Sequence, residues 1–221
     1  MAIAYDNSSS VYNGTATTSQ TLSHTTAGSD RILVVSTRTY DGNTITGVTY
    51  NGVAMSEVGT AQAFASNTDR HRTWILVNPA SGANNVVVSL SSALRIEVYA
   101  ISFTGAAQTG QPDNNNQTNG NSSSATNSLT TVADNCWSVA AMEGNGAGTF
   151  TDSTNVTLVQ NIADRGCIGY GGPKTPAGSF TQAVAIGVAG QWTFKQISIA
   201  PSVAAVATGN AHNNLLLLGV T

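Results

Sequence analysis

The sequence predicts an all-β fold, an antiparallel β-sandwich of jelly-roll-like type. Three observations carry this. Apolar residues recur with period two or in short solid runs, and none holds a helical period over three turns. Polarity comes from Ser, Thr, Asn, Gln and Gly rather than from charge: 41% of residues are hydrophobic and only 9% charged, against about 25% charged in an ordinary soluble protein. Such short polar side chains compete for backbone hydrogen bonds, so they suit turns and strand faces better than helices. Turn residues also separate the apolar runs at the spacing of a sandwich.

The strands follow in order. Residues 31–37 (RILVVST) form a β-branched run expected to be buried on both faces. Residues 44–50 alternate and end at Asn51-Gly52, a hairpin pair because both tolerate positive φ. Residues 53–58 continue the hairpin, and 72–77 end at Asn78-Pro79. Residues 85–90 come next, then 94–103, where Ile96, Val98, Ala100 and Ser102 oppose Glu97, Tyr99, Ile101 and Phe103. Further strands are expected at 136–142, 156–159, 180–186 and 192–199. Between the two groups, residues 110–131 are of low complexity. They offer almost no side chain worth burying and are expected to form an exposed loop or connector.

Residues 1–200 are expected to make a single sandwich domain, since 221 residues is a size such folds reach. Weak internal similarity divides it into half-repeats at about 29–107 and 132–201. Asp69-Arg70 answers Asp164-Arg165, Pro79-Ala80 answers Pro176-Ala177, and Tyr99–Phe103 answers Lys195–Ile199, with offsets of 95, 97 and 96. Ser29-Asp30 also answers Asp134-Asn135, each leading a strand. Chance is the alternative, because few identities are involved. Neither half shows a rich core of its own, so the two are expected to pack together as one pseudo-symmetric unit. Residues 201–221 form a tail ending in Leu215, Leu216, Leu217 and Leu218. Burying each leucine is worth about 1.5–3 kcal/mol. This segment is therefore expected to be a strand, either closing the chain's own sheet or donated to a neighbouring subunit in assembly.

Composition excludes several functions. The net charge is −3 with eight Lys and Arg in all, so no basic patch exists to neutralise several phosphates and no nucleic-acid partner is expected. No apolar run is long enough for a spanning helix, so membrane insertion is not expected. The start MAIAYDNSSS lacks a basic region followed by an apolar one, so no secretion signal is expected.

Catalytic constellations are also not apparent. His24, His71 and His212 lie far apart, and no serine sits in a nucleophile-elbow context. The glutamates are Glu57, Glu97 and Glu143; Glu97, mid-strand, is expected to face solvent. The chain is expected not to be an enzyme, with no cofactor and no metal. Cys136 and Cys167 are separated by thirty residues with no histidine at ligand spacing. They are read as buried small hydrophobes, or alternatively as a disulfide between neighbouring strands. Asp41-Gly42-Asn43 is read as a polar turn rather than a calcium loop. The stretches Gly144–Gly148 and Gly169–Gly172 are read as loops. Trp74, Trp137 and Trp192 sit among aliphatic residues and are assigned to core packing. Tyr12, Tyr40 and Tyr170 lie in polar or Gly-rich settings and are the candidates for glycan contact.

Several stretches together resemble a recurring β-sandwich module found in tailed-phage structural proteins and bacterial surface proteins. They are Met1–Asp6, Gly28–Val35, Val48–Ala54, Trp74–Pro79 and Ala100–Gly105. The resemblance covers most of residues 1–200, and its motifs are packing and turn motifs, with no catalytic residue to carry over. It implies a virion surface protein (decoration, fibre or tail-surface), made in the host cytoplasm. It also implies copies of itself and other virion proteins as partners; a host glycan is a further candidate partner, through the tyrosines named above. The alternatives are a carbohydrate- or receptor-binding module and a filament-forming protein of the extracellular cell surface.

Overall fold

A computed structural model of the chain describes residues 1–40, 42, 45–64 and 68–202. Seven strands make the first antiparallel sheet: β1 (Ala4–Thr26), β2 (Ile32–Thr39), β3 (Ile45–Tyr50), β4 (Val53–Ala54), β5 (Ser56–Ala63), β6 (Arg70–Val77) and β7 (Gly82–Thr104). Their order is β4-β3-β7-β2-β6-β5, with β1 running along the other side of β7. Six make the second: β8 (Asn114–Thr130), β9 (Cys136–Asn145), β10 (Phe150–Asp152), β11 (Thr157–Ile162), β12 (Gly166–Lys174) and β13 (Ser179–Ile199). Their order is β10-β13-β9-β12-β11, with β8 along β13. The sheets pack on each other as a sandwich.

The second sheet repeats the strand order of the first. β8 stands where β1 does, β9 for β2, β10 for β3, β11 for β5, β12 for β6 and β13 for β7. The recurring sequence pairs fall at matching places. Asp69-Arg70 opens β6 and Asp164-Arg165 immediately precedes β12; residues 99–103 and 195–199 lie in β7 and β13. Asp30 and Asn135, leading β2 and β9, both have positive φ, at 50° and 60°. The packing is also reciprocal. β1 lies over β11, β7 over β12, β2 over β9, β6 over β13 and β5 over β8. Exchanging the halves maps β1–β11 onto β8–β5 and leaves β2–β9 in place, the relation found at a two-fold interface.

Contrary to the reading of poor half-cores, each half has its own core. β7 pairs with β3 through residues 86–90 and with β2 through 96–103. Between these segments the β1–β7 register shifts around Asn13–Ser19. The sheet bends there and faces itself across Leu33, Val35, Tyr50, Trp74, Val86 and Val98. The β8–β13 ribbon shifts register between Ala185 and Gly190 and encloses Met142, Phe150, Val184, Ile186, Trp192 and Phe194 in the same way. A third core lies between the sheets, formed by Ile32, Val34 and the 99, 101 and 103 side chains against Val139, Ala141, Ile168, Ile197 and Ile199. This explains why β2 is buried along its whole length. One face serves the half-core and the other serves the shared one.

The low-complexity segment is a strand rather than a loop. β8 pairs with β13 from Asn114 to Thr130. As an edge strand it needs only intermittent apolar contacts, which Ala125 and Leu129 supply. Its amides bridge to the facing sheet: Gln117 Nε2 donates to Thr60 Oγ1 at 3.0 Å and Asn119 Nδ2 to the Ala63 carbonyl at 3.2 Å. Gly169–Gly172 is likewise strand, within β12. Glycine is needed there because a Cβ on Gly171 would stand 2.0 Å from the Asn155 carbonyl oxygen.

Candidate functional site

The interface between the sheets is chemically different at its two ends. At the end where β2 reaches Thr39, charged groups are buried together. In the ladder Arg38 lies opposite both Glu97 and His71, and Glu143 lies opposite Thr193 and Gly166 in the other sheet. Arg38 donates to Asp69 Oδ2 from Nε at 3.1 Å and from Nη2 at 2.7 Å, and across to the Gly144 carbonyl at 2.7 Å. Its guanidinium carbon stands 4.5 Å from the ring centroids of both Tyr40 and Phe64. Glu97 accepts from the hydroxyls of Tyr40 and Tyr99. Arg165 donates to the Tyr40 hydroxyl at 2.7 Å and lies 3.9 Å from Glu97. His71 bridges Ser36 Oγ and Thr193 Oγ1, each at 2.9 Å.

This layer holds three acids, Asp69, Glu97 and Glu143, against two guanidiniums. Glu97 and Glu143 are both wholly buried. Neither Glu143 oxygen has a protein donor, and the group it leans on is the Glu97 carboxyl. Burial first, and then the Glu97 charge, push Glu143 well above the usual carboxylate range. Burial beside a second carboxyl thus favours the protonated form of Glu143. Burial holds His71 well below its ordinary value, with Lys195 and Arg38 adding to the effect. Paired carboxyls can serve as acid and base only where a substrate reaches them. Here no solvent touches either one, so the layer is a structural clamp between the sheets. The expectation that Glu97 faces solvent is corrected: both faces of its strand are covered, and Tyr40, Tyr99 and Arg165 compensate its burial.

At the opposite end the side chains are aromatic. Tyr170 is stacked between Tyr5 and Trp137, with ring centroids 5.1 Å away on each side. Phe103 meets all three edge-on at 5.8–6.3 Å. Beside Trp137 opens a cavity of about 710 Å³, walled chiefly by Met1, Ile3, Trp137, Pro173 and Pro201. Asp134 is its one charged side chain, and that carboxylate is engaged by the Ala177 N–H at 2.6 Å. The Met1 amino group is bonded to the Ser202 carbonyl and hydroxyl, so the polar groups of the lining are paired with one another or with backbone. The cavity suits apolar side chains, and its size is that of a pocket for a bound small molecule or peptide anchor, about 300–1,000 Å³.

No protein family, no curated protein and no solved structure matches the chain.

The residues singled out in the sequence are distributed as follows. Tyr12 and Tyr40 meet, with centroids 6.2 Å apart, and Arg165 lies 3.5 Å over the Tyr12 ring. Tyr170 is at the far end of the interface. The glycan expectation is corrected for two of the three: Tyr40 is buried, and both faces of Tyr170 are covered by rings, so neither presents a platform to a sugar. Cys136 and Cys167 are buried and unbonded. They lie on adjacent strands, but Cys167 faces Met142 while Cys136 faces Lys174. Six residues of strand, about 20 Å, separate them, so the disulfide alternative is overturned. Trp74 and Trp192 fill the two half-cores, and Trp137 packs between the sheets. Leu215–Leu218, His212, Asp41 and Asn43 lie outside the described residues. The clamp itself was not anticipated. The one signal for it was Arg38, an arginine in the strand that continues the apolar 31–37 run.

Proposed function

We propose that this protein is a non-enzymatic structural component of a phage virion surface, a decoration, fibre or tail-surface protein assembled in many copies. The observation that carries the assembly reading is the edge of the second sheet. β8 runs for 17 residues and has β13 as its one ladder partner among the described residues; its Thr126, Ser128 and Thr130 carbonyls accept from the Thr118, Asn116 and Asn114 side chains of the same strand. It contains no charged residue and no proline, the usual guards against edge-to-edge pairing. An edge closed only by such side-chain bonds is a template for strand addition by another copy. The buried acids support the non-enzymatic part, since the paired carboxyls are closed to any substrate. The virion assignment rests on the resemblance of the packing and turn motifs to phage structural modules, and with it the expected site of the protein, on particles assembled in the host cytoplasm.

Light scattering across a concentration series tests the assembly. The intact chain is expected to form defined multimers, and the pair Asn121→Lys and Ser123→Lys on β8 to reduce them to folded monomers. A chain that stays monomeric throughout would overturn it. Fractionation of producing cells tests the location. Co-sedimentation with phage particles supports the virion reading, and retention on the cell envelope supports the cell-surface alternative.

A further inference from the structure

We propose that the apolar groove beside Trp137 is the docking site for the chain's own Leu215–Leu218 segment. The groove needs an apolar occupant, because its walls are Met1, Ile3, Trp137, Pro173 and Pro201. Such a surface left in water is costly, as is a run of four leucines. The two are tethered to each other. Pro201 and Ser202, the last described residues, are part of the groove wall. Pro201 is fixed there by a bridge to Ala106, and Ser202 by its N–H on the Gly105 carbonyl at 2.8 Å. Only twelve residues, 203–214, separate this anchor from Leu215. They are Ala, Val, Thr, Gly, Asn and His. A tether of twelve residues spans at most about 40 Å, so its length allows a return to the groove it starts from.

The tether also decides between occupants. A short tether holds its own segment at an effective concentration that can reach the millimolar range. A second copy's tail, or a free apolar ligand, would have to approach that level to displace it. The occupant is therefore taken in cis, distinct from the β8 edge and independent of the virion reading.

The test is a cysteine crosslink in the full chain. Ala133→Cys on the groove wall is combined in turn with Leu215→Cys, Leu216→Cys, Leu217→Cys and Leu218→Cys. Ala2→Cys replaces the wall anchor if Ala133→Cys alone lowers the melting temperature. The native thiols are buried and do not compete. Mild oxidation is expected to give an intrachain disulfide in at least one pair, seen as a monomer of faster non-reducing mobility. Crosslinked dimers alone would overturn the proposal in favour of a second copy's tail, and failure of all four pairs at both anchors would overturn it outright. Acrylamide quenching gives a second reading, because Trp74 and Trp192 are buried and Trp137 is the half-exposed indole. Quenching is expected to rise when the chain ends at Ser202. Assembly through β8 does not involve the groove, so loss of multimers and loss of the crosslink are separable results.

Discussion

Arg38 and Glu97 face each other across the β2–β7 ladder, yet the guanidinium turns to Asp69 and leaves Glu97 to the hydroxyls of Tyr40 and Tyr99. The buried layer is thus held by a chain of contacts rather than one ion pair, and removing one member strands another.

Arg38→Met is expected to cost about 3–5 kcal/mol, the usual result of breaking a buried pair from one side. Urea denaturation measures it. Adding Asp69→Leu should restore much of the loss, because the stranded carboxylate is then gone.

The alkaline limb of stability should be set by Glu143. Its folded value lies above its unfolded one, so the folded state holds a proton that the unfolded chain releases. That contribution is complete below the ordinary carboxylate range and is lost as pH rises through the folded value. The melting temperature is expected to fall toward alkaline pH, and Glu143→Gln, which keeps a donor beside Glu97, should flatten that fall. A melting temperature independent of pH in the wild type would contradict the raised Glu143 carboxyl.

The acid limb should be set by two histidines. Burial lowers His24 to about 4, against a smaller opposing effect of Asp6, and lowers His71 further below its ordinary value. The unfolded chain binds these protons first, so the stabilisation is complete above about pH 6.5 and is lost as pH falls. Melting curves of His24→Asn should show a shallower acid limb than the wild type, with the remainder due to His71.

Gly171→Ala is expected to destabilise by about 1–3 kcal/mol, because the new methyl would press on the backbone of the neighbouring strand. Gly52→Ala is a different case, since nothing stands within 4 Å and only its φ of 77° opposes a side chain. Denaturation midpoints of the two separate steric contact from backbone strain.

Thiol titration should find no reactive cysteine in the native protein and two after unfolding. Both are buried, and burial, with Asp113 adding to it, pushes the Cys136 thiol up to about 12. A rapid native reaction would show that β9 opens to solvent.

The solid apolar strands were readable because their signal is local. Residues 32–37 of the 31–37 run lie in β2, and 72–77 and 136–142 lie in β6 and β9; the Asn51-Gly52 turn has the positive φ values, 49° and 77°, that its residues suggest. The longer strands that escaped notice, β1, β8 and β12, are polar or glycine-rich, and β10 has only three residues. β1 and β8 lie at sheet edges, where hydrogen bonds to a long neighbour replace apolar alternation. The glycines of β12 serve backbone approach, which leaves no hydrophobic period to read. Glu97 was misjudged for a different reason. Its compensation comes from Tyr40, 57 positions away, and from Arg165 in the other sheet, and no single-strand pattern reports that.

The amino group of Met1 donates to the Ser202 carbonyl at 2.6 Å and to its hydroxyl at 2.9 Å. The first and last described residues therefore share one pole of the molecule. A polypeptide that enters and leaves at a single point can be spliced into a surface turn of an unrelated host, or rejoined and cut elsewhere, without disturbing either sheet. It can equally be mounted by that pole like a stud, with the opposite pole projecting away from whatever carries it.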